Sequence, residues 1–551
     1  MHANSRRKPI YLQQYQDLLL GELYAMTYYL SLPPQWVAEV PAVMYAEDGC
    51  FPGLYCQKFL NHPWLPDGHT LVLSSFWGSM EVILSVDVLS SKVSRISPAD
   101  SSYSWDVVAV DGDNILAVYS SPIDPPQIKY GYLADQIMTL GWHWIDVSSP
   151  FLQYSEKVKS LLSTHQFSIM KIPVTNSETL PRGAQKPLEA IFLSSSSSHT
   201  KEPLQVDQKS DDAYNPLIVV LHGGPHSVSL TSYSKSHAFL ASLGFNLLLV
   251  NYRGSLGFGE EALQSLLGKI GCQDVGDVLT ALDHVIENKL ADPSKVAVLG
   301  GSHGGFLTTH LIGQAPDKFT VAAVRNPVCN LSLMVGTTDI PDWCYVETYG
   351  KDGKECFTEA PSPNHLSDLH AKSPISHLTK VKAPVLFLLG AQDLRVPVSN
   401  GLQYARALKE KGAEVKVIVF PNDVHSIDRP QSDFESFLNI EAPIDVDQPS
   451  PRRRLSMMQR IPPIFPIQSN FSLNKPKLSQ LNGREPESSC LPPQTPLTEA
   501  TKVEQDGVPR VEGQSPPRSQ TPLPQVPKAR PVDPPEIEAP LLEMLPAAPL
   551  V

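Results

Sequence analysis

A Gly-Gly-Ser-His-Gly turn, Gly300 to Gly304, constrains this chain more than any other stretch. It follows the apolar run Val296-Ala297-Val298-Leu299. It precedes Gly305-Phe306-Leu307-Thr308-Thr309-His310-Leu311-Ile312, whose pattern predicts a helix. Strand, G-x-S-x-G, helix is the layout of a nucleophile elbow. A serine there sits on strained backbone, and its neighbours must lack bulk so that strand and helix can approach. Gly-rich strand-to-helix turns also occur without a nucleophile, so the rest of the chain has to decide.

With 551 residues, 42% of them hydrophobic, the chain can build two domains or more. The net charge of −13, without long charged blocks in the first 440 residues, argues against nucleic acid as the main partner. No uninterrupted run of about 18 apolar residues predicts a membrane span. Met1 to Pro9 is basic but lacks an apolar stretch and a cleavage site, so it does not read as a secretory signal. Seven scattered cysteines without C-x-x-C pairs fit a reducing cytoplasm and speak against a zinc site or a disulfide frame.

Residues 1–165 read as β-rich. Thr70-Leu71-Val72-Leu73 and Glu81-Val82-Ile83-Leu84-Ser85-Val86 are apolar or alternating runs between turn residues. Trp105 to Val110, then Asp111-Gly112-Asp113-Asn114, then Ile115 to Tyr119 is a hairpin signature. Short strands at near-regular spacing suggest propeller blades or a sandwich. The serine run Ser194 to Ser198 opens an exposed loop over 194–213. From Leu217 onward strands and helices alternate, which predicts a mostly parallel sheet covered by helices. Its strands are Leu217 to Leu221, Leu247 to Val250, Val385 to Leu389 and Val415 to Phe420; Gly276 to Leu290 is an amphipathic helix. A last helix starts over Ser432 to Ile440 and ends at Ala442-Pro443. After about residue 445 Pro-Pro pairs recur and aromatics nearly vanish, so 445–551 reads as a disordered Pro-rich tail. Its Pro-x-x-Pro segments are of the kind that dock SH3 or WW domains, and Arg452-Arg453-Arg454-Leu455-Ser456 is a basic cluster of basophilic-phosphosite type or simply a solvated one.

A serine hydroxyl needs an imidazole to take its proton and a carboxylate to hold that imidazole. In α/β-hydrolases these follow in the order serine, acid, histidine, each at a strand end. Asp393, in Gly390-Ala391-Gln392-Asp393, and His425, in Phe420-Pro421-Asn422-Asp423-Val424-His425, meet both conditions. The bland readings are a turn aspartate and a surface histidine. Leu221-His222-Gly223-Gly224-Pro225-His226 follows the first strand and supplies an oxyanion loop. We assign its donors to the backbone N–H of Gly224 and of His303. His222 and His226 lack the third ligand and helix of a zinc site, so neither a metal nor another cofactor is expected.

These residues resemble the acylaminoacyl-peptidase branch of the prolyl oligopeptidase family, serine peptidase family S9. The resemblance is carried by His222 to His226, Val250-Asn251-Tyr252-Arg253-Gly254-Ser255-Leu256-Gly257-Phe258-Gly259 and Gly300 to Phe306. Val324-Arg325-Asn326-Pro327-Val328, Thr338 to Cys344 and Lys372-Ser373-Pro374-Ile375 continue it. It implies a partial β-propeller over 1–165, an α/β-hydrolase domain over 166–444, and a serine exopeptidase that releases an N-acyl amino acid from short N-acylated, typically N-acetylated, peptides. Ser302 is then the nucleophile, His425 the base and Asp393 the orienting acid, with Phe258 and Trp343 lining the pocket or simply packing in the core. Family members are often homo-oligomers. The family's propeller has about seven blades. About 165 residues supply three or four, and the final helix gives way to the Pro-rich tail. The chain therefore looks like a shortened vertebrate isoform. An ungated esterase or peptidase, and an impaired isoform acting through its tail, are the alternatives.

Overall fold

A computed structural model describes residues 40–45, 49–134, 141–148, 162–174, 181–195 and 215–444. The expected tail over 445–551, and most of the loop expected over 194–213, lie outside the described residues.

The N-terminal part forms two antiparallel meanders. One holds β1 (Thr70–Trp77), β2 (Met80–Asp87) and β3 (Lys92–Arg95); the other holds β4 (Ser104–Asp111), β5 (Asn114–Ser120), β6 (Gln127–Ala134) and β7 (Gly141–Ser148). The hairpin read from the sequence is β4–β5, closed between Asp111 and Asn114, with Gly112 at φ 58°. Successive strands pair without crossovers, which suits a chain whose apolar and polar residues alternate.

The second part is one sheet of eight strands. In chain order these are β8 (His165–Ile172), β9 (Leu188–Ser195), β10 (Leu217–Leu221), β11 (Asn246–Asn251), β12 (Val296–Gly301), β13 (Val321–Arg325), β14 (Val385–Gly390) and β15 (Val415–Phe420). In space they run β15-β14-β13-β12-β10-β11-β9-β8. The six from β10 to β15 are parallel, and β9 and β8 extend them antiparallel beyond β11. Every residue of β11 and β14 is buried, as expected for parallel strands covered on both faces.

Helices lie on both sides: α1 (Lys235–Ser242), α2 (Gln273–Glu287), α3 (His303–Gln314), α4 (Pro341–Tyr349), α5 (Pro363–Ala371), α6 (Ser399–Glu410) and α7 (Pro430–Ile444). One apolar cluster joins Val278, Leu282 and Val285 of α2, Phe306 and Leu311 of α3, and Tyr404 and Leu408 of α6 to the sheet. The other joins Leu240 of α1 and Ile440 of α7 to its opposite face. Helix α2 begins and ends three residues earlier than the sequence pattern suggests. Helix α7 runs through Ala442-Pro443 to Ile444 rather than ending there.

Chain order reverses at β10: β11 lies on one side of it and β12 on the other. In an open parallel sheet the strand ends at such a reversal bound a crevice for ligands. The β1–β2 turn packs against this sheet through buried polar groups. Ser79 N–H and Oγ–H both donate to Glu189 Oε2, at 2.9 and 2.7 Å. Asn251 Nδ2 donates to Ser79 Oγ at 2.9 Å, and Gly78 N–H donates to Gly257 O at 2.8 Å.

Candidate active site

Ser302 follows β12 at the reversal point, half-buried, with φ 56° and ψ −122°. A non-glycine residue in this region carries about 1–3 kcal/mol of strain, held by what surrounds it. Here the hold is main-chain: Ser302 N–H donates to Arg325 O at 2.9 Å, and Ser302 O accepts from Phe306 N–H at 3.0 Å. The flanking glycines are required by contact. A Cβ on Gly300 would lie 2.2 Å from Gly304 O, and one on Gly304 would lie 2.2 Å from Leu221 O.

Asp393 follows β14 and is 4% exposed. Its Oδ1 accepts from Val396 N–H at 2.9 Å and its Oδ2 from His425 Nδ1–H at 2.7 Å. A carboxylate only accepts, so Nδ1 carries the proton and Nε2 is left with a lone pair. The His425 ring is 31% exposed, on the loop after β15. Gln392 N–H donates to Asp423 O at 2.9 Å, tying the acid loop to the base loop. The structure thus brings Asp393 and His425 together on the strand-end side of the sheet that bears Ser302. Among the described residues no hydrogen bond joins Ser302 Oγ to His425. Such bonds are often long without substrate.

The loop after β10 faces the serine. A Cβ on Gly223 would lie 3.2 Å from Ser302 Cβ and 3.8 Å from its Oγ. Gly224 has φ 116°, and a Cβ there would lie 2.5 Å from His226 N, so only glycine fits. His303 opens α3, so its N–H has no intrahelical acceptor. Both expected oxyanion donors therefore sit on segments next to Ser302.

The neighbouring rings have protein partners. His222 stacks on Tyr252 at 4.4 Å, and its Nε2 lies 2.9 Å from Ser255 Oγ. Burial pulls its imidazole down to about 4, which keeps it neutral. His226 Nε2 lies 3.3 Å from Glu347 Oε1, with Glu347 fully buried. Burial opposes charge on His226, but the Glu347 carboxylate and the Gly254 carbonyl outweigh it and raise its pKa.

Sequence reasoning missed two features. His303 turns its ring into the core, where Nε2–H donates to Asp274 Oδ2 at 2.9 Å and both side chains are fully buried. The available signal was an aspartate on the apolar face of α2. The second is Asn326, buried directly after β13; it stood only inside a recognised stretch. The two expected pocket aromatics are apart. Trp343 meets the His303 ring edge-on at 6.3 Å. Phe258 lines a cavity of about 280 Å³ with Tyr45, Glu189 and Tyr252, which Ser302 does not line.

Comparison with known proteins bears on the family. Residues 231–442 match the model described as prolyl oligopeptidase family. Residues 30–159 match the model described as acylamino-acid-releasing enzyme, N-terminal domain. Acylamino-acid-releasing enzyme 2 of Oryza sativa subsp. japonica is 63% identical over 406 residues, 73% of this chain and 50% of that protein. The acylamino-acid-releasing enzyme of Arabidopsis thaliana is 60% identical over 72% of this chain and 50% of its own length. That of Homo sapiens is 34% identical over 71% and 50%. The plant identities overturn the expectation of a vertebrate chain. The chain spans about half the length of the curated relatives it matches. Among solved structures, Pyrococcus horikoshii acylaminoacyl peptidase superposes with a TM-score of 0.55 at 18% identity, covering 72% of this chain and 56% of that one. That similarity concerns the fold.

Proposed function

Residues 231–442 match the prolyl oligopeptidase family and residues 30–159 the acylamino-acid-releasing enzyme N-terminal domain, and from these matches we propose that the chain is a member of that family and a serine exopeptidase releasing N-acyl amino acids from short N-acylated peptides. The reading divides the chain into a partial propeller (1–165), the hydrolase (166–444) and the tail. The observation that carries it is the 2.7 Å hydrogen bond from His425 Nδ1 to Asp393 Oδ2, on the same strand-end side of the sheet as a serine on strained backbone.

In this reading Ser302 Oγ attacks the carbonyl carbon of the N-acylated first residue, and His425 Nε2 takes the hydroxyl proton. The oxyanion accepts from Gly224 N–H and His303 N–H, each donor worth about 10²- to 10³-fold in kcat. The C–N bond then breaks, and His425 returns the proton to the departing peptide amine. Water, deprotonated by the same imidazole, attacks the acyl carbon; the C–O bond to Ser302 breaks, His425 returns the proton to Oγ, and the N-acyl amino acid leaves. Asp393 holds the ring in the Nδ1–H tautomer throughout. A cytoplasmic setting fits the six free cysteines among the described residues. Among those residues no helix is long and apolar enough to cross a membrane.

The test is fluorophosphonate labelling of the full chain and turnover of an acetyl-alanyl chromogenic peptide, with Ser302→Ala as control. Wild-type protein that neither labels nor turns over sinks the reading.

A further inference from the structure

We propose that Asn326 is a positioning residue that ties the strand ends of all three reacting groups together, with Arg325 completing its hold on the base loop. The role rests on the triad reading above.

Asn326 follows β13, between β12, which leads into Ser302, and β14, which leads to Asp393. It is 2% exposed, and its φ of 40° is a left-handed value that asparagine adopts more readily than most residues. Its side chain spans two loops. Oδ1 accepts from Gly390 N–H at 2.8 Å, at the end of the acid strand. Nδ2 donates to His425 O at 2.9 Å and to Val424 O at 3.3 Å, on the base loop. Its own N–H donates to Leu388 O at 2.9 Å. The preceding carbonyl, Arg325 O, accepts from Ser302 N–H at 2.9 Å. One residue and its neighbour therefore contact the backbone of the nucleophile, the acid strand and the base.

The base loop is held through Asp423 as well, whose O accepts from Gln392 N–H at 2.9 Å and whose Oδ2 accepts from Ser432 Oγ–H at 2.7 Å. Val424 is half exposed, and the His425 ring has its bond to Asp393. Arg325 Nη2 donates to Ser426 O at 3.2 Å and Ile427 O at 2.8 Å. Four consecutive carbonyls, Val424 to Ile427, are thus received by two consecutive side chains. Ile427 itself sits at φ 46°, a strained value for a β-branched residue. The end of β13 thus holds the part of the loop that carries the base.

Only a primary amide on a short stem meets these demands. An aspartate keeps the acceptor for Gly390 but turns a carboxylate oxygen toward two carbonyls. A leucine offers neither group. A displacement of about 1 Å between base and nucleophile costs on the order of 10²-fold in rate.

The experiment compares kcat and KM of the full chain with Asn326→Asp, Arg325→Met and Val321→Ala, on the acetyl-alanyl substrate and by fluorophosphonate labelling rate. Val321 lies at the far end of β13 and is buried, so its truncation lowers stability without touching the loops. The expected result is a loss of 10- to 100-fold in kcat for Asn326→Asp, with KM within about threefold of wild type. Labelling slows in parallel, while Val321→Ala keeps wild-type kcat at an equal folded fraction. Arg325→Met, on a partly exposed side chain, loses a smaller part of kcat, and its kcat decides the role if Asn326→Asp does not fold. Wild-type kcat in Arg325→Met and Asn326→Asp, or a rise in KM alone, overturns the role. An inactive wild-type chain overturns the triad reading, and this role with it.

Discussion

The imidazole of His303 and the carboxylate of Asp274 meet at 2.9 Å with neither reaching solvent. The residue after the elbow serine is thereby pinned to α2, while its ring stacks on Phe306 at 4.8 Å. Asp274→Asn keeps the shape and replaces a charge-assisted bond with a neutral one. The expected cost is about 1–3 kcal/mol of unfolding free energy. Because His303 N–H serves as an oxyanion donor in the proposed mechanism, kcat should fall more than KM rises. Urea unfolding and steady-state kinetics on the same preparation check both parts.

Asp393→Asn should leave KM nearly unchanged and lower kcat by about 10⁴-fold. An amide can donate to Nδ1, which favours the tautomer with the proton on Nε2, where it blocks the attack. The fold should survive, since the amide oxygen can still accept from Val396 N–H. Retention of more than about a tenth of kcat argues against His425 as the base.

Two glycine substitutions in neighbouring segments should part company. Gly304→Ala drives a methyl into Leu221 O and should prevent folding of the hydrolase sheet. A methyl at Gly223 meets Ser302 Cβ at 3.2 Å, Gly301 O at 3.3 Å and Ser302 Oγ at 3.8 Å, none of them closer than 3 Å. Gly223→Ala should fold, and lose turnover because the methyl intrudes where the reacting carbonyl must lie. Circular dichroism read together with fluorophosphonate labelling separates the two outcomes.

Buried histidines predict an acid-sensitive fold. His310 is 1% exposed, donates from Nε2 to Lys372 O at 3.1 Å, and accepts from Gln314 Nε2 at 2.9 Å. Burial pulls its imidazole down to about 3. Between pH 6.5 and about 3 the unfolded chain therefore binds a proton that the folded one refuses. Stability from this group is complete above pH 6.5 and drains away as pH falls, by up to about 1.4 kcal/mol per pH unit. His310→Gln should be less stable at pH 7 yet show a shallower decline between pH 6.5 and 4. Unfolding midpoints across that range decide it, and an unchanged slope counts against the assignment.

Five of the six parallel strands are legible because each is a short apolar run between turn residues; β13 is not among those read from the sequence. Val385 to Leu389 is the plainest case, and β14 is buried throughout. The elbow is legible because its glycines are demanded by backbone contacts at one place in the chain. The periodicity places helix α2 three residues late, which hides Asp274 in its first turn. Asn326 carries no periodic signal at all. Its partners lie 64 to 99 residues away and are main-chain groups, which leave no mark in the sequence. The antiparallel pairing of β9 on β11 depends on the whole sheet being built.

The polar seam at Ser79 bears on how this molecule comes apart. The apolar clusters of the two meanders, around Ile83 and around Leu84, are distinct from those of the hydrolase sheet, with Ile123 packing across. Cooperativity between two parts grows with the nonpolar area they share, and here hydrogen bonds worth about 1 kcal/mol each form part of the link. Heating should therefore produce two overlapping calorimetric transitions rather than one, so a single midpoint would describe neither part.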